Sequence, residues 1–153
     1  MVVHTDDSKR QFHFRTRHGE ISMEVHGNIV VGRFSGAISS NLTSKLASAI
    51  TDLLAPLQGT PWGYLSISNL AEGATPDAEQ GLIDALMVGF KMGVVCSAYI
   101  IHSPVAVAQM DRVRKACGAT DDIRDHLFSD EKSAREYLNE KIRAYENAQR
   151  QTG

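Results

Sequence analysis

The chain is poor in the residues that build specialised scaffolds. Only two of its 153 residues are cysteine, with no CxxC spacing and no histidine cluster around either. Neither a disulfide framework nor a thiolate metal centre is encoded, and Cys96 and Cys117 read as small buried apolar residues. Charge of one sign is also missing. The 16 basic and 18 acidic residues leave a formal net charge of -2, which gives no electrostatic reason to expect nucleic acid or an anionic membrane as partner. No stretch approaches the roughly 20 apolar residues needed to cross a bilayer, and the amino terminus lacks the apolar core of a signal peptide. The expectation is a cytoplasmic protein that does not span a membrane. What is present, 42% apolar and 22% charged residues, is the composition of a globular chain long enough to build its own core as one domain.

Periodicity then divides the chain. Residues 1–11 read as a frayed polar lead-in, residues 12–146 as a single α/β domain, and residues 147–153 as a frayed end. Phe12 and Phe14, then Ile21, Met23 and Val25, then Ile29 to Phe34 alternate at a period of two around turn residues, which predicts a meander of three strands with Gly32 marking a bulge. Leu42, Leu46, Ile50 and Leu53 recur at helical spacing behind a cap at Ser40 or Asn41, and Pro56 ends that helix. Trp62 to Asn69 predicts a strand. Thr75-Pro76-Asp77 opens a second helix that runs to Gly93, with Leu82, Ile83, Leu86, Met87 and Phe90 as its buried face. Val94 to Ile101 is nearly continuous apolar sequence, which predicts a strand at the centre of the sheet, covered on both faces. Ser103-Pro104 opens a third helix ending at Gly118, Leu127-Phe128 reads as a short edge strand, and Ser129 or Asp130 caps a last helix lined by Ala134, Leu138 and Ile142. The order is βββαβαβαβα, a mixed β-sheet with helices packed against it.

Asn28-Ile29-Val30-Val31-Gly32-Arg33-Phe34-Ser35-Gly36 before an amphipathic helix, Phe90-Lys91-Met92-Gly93-Val94-Val95-Cys96 leading into an apolar strand, and the run from Leu127 to Leu138 give the chain a pattern that resembles the SpoIIAA-like superfamily, which includes the STAS domains. The likeness covers roughly Gly19 to Arg143. The resemblance implies a non-enzymatic regulatory module that acts through contacts with another protein. In anti-sigma factor antagonists of this kind a serine or threonine before a helix is phosphorylated; Thr75 is the nearest positional match, although Ser68 to Pro76 departs from the Asp-Ser-[Ser/Thr]-Gly pattern. Some relatives of the fold are similar to lipid-binding CRAL-TRIO domains.

The candidate site follows from the rule that ligands sit beyond the carboxyl ends of parallel strands. Ser68 and Asn69 end one strand, His102 and Ser103 follow another, and Thr75 starts the intervening helix. Together they could bind a partner or a small polar group at helix amides, with Thr75 also the candidate for phosphorylation. Thr75 and Ser103 equally explain themselves as caps. There is no GxSxG, P-loop or GxGxxG, so no catalytic residues, cofactor or metal are assigned. His4, His13, His18, His26, His102 and His126 are scattered, with His13 and His26 able to face each other across the meander. Arg112, Arg114 and Lys115, balanced by Asp111, Asp121 and Asp122, read as a solvated face. A second reading takes Leu82, Leu86, Met87, Phe90 and Met92 as the lining of a groove for a small apolar or amphipathic ligand. A homo-oligomer is left open.

Overall fold

The computed structural model describes residues 2–5, 10–69 and 73–152. It is an α/β protein with a six-stranded mixed sheet whose spatial order equals its chain order. Strands β2 (Arg10–Arg15), β3 (Gly19–His26) and β4 (Ile29–Gly36) form the expected antiparallel meander. Its register places Phe12 beside Met23 and Phe14 beside Ile21, so the alternating apolar residues share one face. Strands β5 (Trp62–Asn69) and β6 (Val94–Ile101) then add in parallel, each through a helix. At the other margin Val2–Thr5 forms β1, antiparallel to β2. The lead-in therefore contributes a strand where fraying was expected.

Two parallel crossovers moving the same way across a sheet are both right-handed, which puts their helices on one face. Helices α1 (Ser40–Leu54) and α2 (Pro76–Lys91) accordingly cover the face that carries Met23, Val30 and Trp62, and α3 (Pro104–Ala116) packs beside α2. Helix α4 (Glu131–Thr152) crosses to the opposite face, where Ala134, Leu138 and Ile142 meet Val31, Leu65, Ala98 and Ile100. It continues to Thr152, through the segment expected to fray.

Strand β6 occupies the sheet's margin, not its centre. Its apolar run is explained by helices on both faces, and its outer edge is closed by a single parallel bridge from Tyr99 to Leu127, with the Phe128 amide donating to the Tyr99 carbonyl at 2.9 Å. The expected strand at Leu127-Phe128 is reduced to that bridge, after a 3-10 turn at Ile123–His126. Gly32 is no bulge, since pairing runs through it on both sides. A Cβ there would lie 2.9 Å from the Tyr64 hydroxyl and from the Met23 thioether, so the missing side chain makes room for theirs. Position Ser39, ahead of the expected Ser40 or Asn41, precedes α1, and its side chain makes no capping bond.

The inward face of α2 differs from the expected stripe. Ala78, Ala85 and Gly89 are buried, whereas Met87 and Phe90 are substantially exposed. Small residues allow close approach: a Cβ on Gly81 would come within 2.4 Å of the Thr43 hydroxyl and 2.9 Å of its backbone carbonyl carbon in α1. Gly81→Ala should therefore push α1 and α2 apart and lower stability by about 1–3 kcal/mol. Gly89→Ala, whose added carbon meets only Trp62 at 3.7 Å, should leave stability unchanged or raise it by roughly 0.5–1 kcal/mol through helix propensity. Urea unfolding of the two variants measures both.

Candidate functional site

Small residues along α2 have a second consequence. Beneath the helix, between it and the sheet, lies a cavity of about 540 Å³, within the range of small-molecule sites. Val30, Leu46, Leu54 and Trp62, all nearly inaccessible to solvent, form its deep wall, and Leu82 and Leu86 its roof. The exposed lining residues, Phe90 on one side and Gly118, Thr120 and Asp121 on the other, mark its opening. Polar groups enter the wall from β5, β6 and α3: Tyr64, Ser97, Tyr99 and Arg114.

Local sequence explains how Arg114 acquires its partner. Helix α3 ends in a Schellman turn, in which the Gly118 amide donates to the Lys115 carbonyl and the Ala119 amide to the Arg114 carbonyl, both at 3.0 Å. Gly118 takes the left-handed φ of 99° that this turn requires. The reversal carries Asp121 back beside Arg114, whose Nη2 donates to Asp121 Oδ1 at 2.6 Å and whose Nη1 donates to the Asp121 carbonyl at 3.2 Å. Asp122 then caps the 3-10 turn by accepting from the Arg124 amide at 2.9 Å, and the turn delivers His126. His126 Nε2 bonds Asp121 Oδ2 and Nδ1 meets the Tyr137 hydroxyl of α4 at 3.1 Å.

Arg114, read from sequence as part of a solvated face, is thus buried, with its side chain 5% exposed and its guanidinium over the Tyr99 ring at 5.8 Å. Spacing carried a signal. Arg114 lies one helical turn from Met110 and from Cys117, on the apolar stripe itself. Burial pushes the Tyr99 and Tyr64 hydroxyls above their ordinary range, with the neighbouring guanidinium partly opposing the shift at Tyr99. Burial also raises both thiols, Cys117 beneath α2 and, on the opposite face against α4, Cys96, which is pushed up to about 11. They are therefore poor nucleophiles at neutral pH. Both ring nitrogens of His126 are engaged, one by the Asp121 carboxylate and the other by the Tyr137 hydroxyl. The arrangement suits binding: an apolar chamber with hydrogen-bonding groups near one end.

The residues singled out at the strand ends do not converge into a comparable site. Ser68 borders a crevice of only about 60 Å³, closed by Gln109, which bonds both the amide and the carbonyl of Ala74 at 2.8 Å. Asn69 ends β5 opposite Ser35, and residues 70–72 of the following loop lie outside the described residues. Thr75 is exposed at the start of α2, and its hydroxyl donates to Asp77 Oδ1 at 2.7 Å instead of accepting from helix amides. Ser103 is the cap it was expected to be, accepting from the Ala106 amide at 3.3 Å. His102 is exposed. His13 and His26 do not face each other; each bonds a glutamate at 2.6 Å, Glu20 and Glu24 respectively. Among the described residues no group of three or more metal-ligating side chains occurs, and no helix is long and apolar enough to cross a membrane.

Burial opposes the charge on Asp121, but its bonds to His126 and Arg114 outweigh that effect and hold the carboxyl below its usual range. A depressed folded pKa adds stability that is complete above the unfolded value, about 3.9, and is lost as the pH falls through the folded value. Asp121→Asn should be less stable than wild type at neutral pH by about 1–2 kcal/mol, the lower part of the range for a charge-assisted bond because the side chain is half exposed. Urea unfolding across pH should show that gap closing below about pH 4. No family model, curated protein or solved structure matches the chain, so the functional reading rests on this geometry.

Proposed function

We propose that the protein is a non-enzymatic module that carries or senses a small amphipathic molecule held beneath α2. The observation that carries this reading is the cavity of about 540 Å³, apolar in its depth and bordered by Arg114, Asp121 and the tyrosine hydroxyls. Such a chamber takes a hydrocarbon body by the hydrophobic effect and orients one polar end by hydrogen bonds. The raised thiols favour binding over turnover. A mixed sheet with helices against it accords with the SpoIIAA-like resemblance, which stays part of this proposal.

Regulation through contact with another protein is the second reading, and one observation favours it. Phe90, which lines the cavity, is 42% exposed, and Met87 on the same helix is 38% exposed, so a bound molecule would alter an apolar surface that a partner could read. A phosphoryl switch at Thr75 draws less support, because the added charge would lie against Asp77.

Trp62 is the only tryptophan and forms part of the cavity wall, which makes its fluorescence a reporter. Decanol should bind the full chain saturably, shift Trp62 emission and give a one-to-one adduct in native mass spectrometry. Gly89→Leu, which projects a side chain from the lining of α2 into the chamber, should weaken decanol at least about tenfold by filling the space that the hydrocarbon needs. Wild type that binds neither decanol nor its acid decanoate, or decanol binding undiminished in a folded Gly89→Leu variant, would sink the carrier reading.

A further inference from the structure

Among the described residues Arg114 is the only charged residue with a buried side chain, and it stands on the wall of a mostly apolar chamber, near its polar end. A guanidinium in that setting demands a carboxylate, because an unpaired charge in a low-dielectric site is strongly destabilising. Asp121 meets the demand from a different environment. Its side chain is 48% exposed, it belongs to the loop after the Schellman turn, and it also lines the cavity opening. Its second oxygen already bonds His126. Asp121 could thus turn toward water and remain paired with His126, whereas Arg114 has no route to solvent.

The other charges near Arg114 do not compete for this role. Asp111 lies 3.9 Å from Nη1 and is engaged by Lys115 at 2.8 Å and by the Ile123 amide at 3.4 Å. The planar guanidinium carries more N–H donors than Asp121 takes up.

Building on the carrier reading, we infer that the preferred ligand is an acid, an apolar body with one carboxylate, and that its carboxylate takes the place of Asp121 on Arg114. Asp121 is then a built-in stand-in for the ligand headgroup. It neutralises Arg114 when the chamber holds no acid and yields when an acid enters. A neutral headgroup would leave the Arg114–Asp121 pair in place and gain only weaker bonds.

Decanoate and decanol, titrated into the full chain at neutral pH and followed by Trp62 emission and calorimetry, separate the possibilities. Decanoate should bind roughly tenfold more tightly than decanol, the difference expected of a charge-assisted pair. Arg114→Gln should abolish that preference, so that the two probes bind with equal affinity. Asp121→Asn, which removes the competing carboxylate, should tighten decanoate several-fold and show a larger rise in Tm with decanoate than wild type does. Lys132→Ala, an exposed cation on α4 outside the cavity lining, should change none of these. Equal affinity of wild type for the two probes overturns the inference while the carrier reading stands, and so does weaker decanoate binding in a folded Asp121→Asn. Failure of both probes to bind overturns both.

Discussion

The direction in which the chain crosses its sheet governs the rest of the molecule. Because β4, β5 and β6 are laid down in sequence, two right-handed crossovers place α1 and α2 side by side on one face. Packed against α1 through Gly81, α2 cannot settle independently onto the sheet. It meets β5 and β6 with alanine and glycine where a bulkier residue would have closed the gap. The chamber is the space left between that helix and the sheet.

The space of about 540 Å³ opens to solvent between Phe90 and the loop that carries Gly118, Thr120 and Asp121. Water can fill it near its polar wall, and a ligand along its apolar one. The polar groups cluster on β6 and α3, and the deep wall around Val30, Leu46 and Trp62 offers water few partners. An amphipathic occupant answers both halves at once.

Much of the fold was legible because its signals are local. The meander, the paired Thr75-Pro76 and Ser103-Pro104 starts, and the stop at Gly118 follow from period-two alternation, proline geometry and the left-handed φ of one glycine. Errors arose where burial came from tertiary partners. Val94 to Ile101 looks central because both of its faces are covered, but cover comes from helices and says nothing of whether a strand lies beyond it. The stripe Leu82, Leu86 and Phe90 looks like core because large apolar residues usually are; here those residues border a chamber, and the buried positions are Ala78, Ala85 and Gly89. The strand-end rule led to Ser68, Thr75 and His102, while the larger space lies on the sheet's face.

Arg114 shows why the site itself was the hardest part to read. Three charges within four residues suggest a solvated helix face, and acidic neighbours in the sequence appear to balance them. Which of the three turns inward depends on phase: Arg112 and Lys115 point outward to Glu79 and Asp111, while Arg114 shares the stripe of Met110 and Cys117. Its burial becomes tolerable only through a reversal seven residues long, in which Gly118 turns the chain and Asp121 returns to the guanidinium. That dependence runs in one direction. Without the turn, Arg114 would keep only the distant Asp111 at 3.9 Å; with it, the guanidinium gains the direct bond to Asp121 and becomes the one buried charge in the chamber wall.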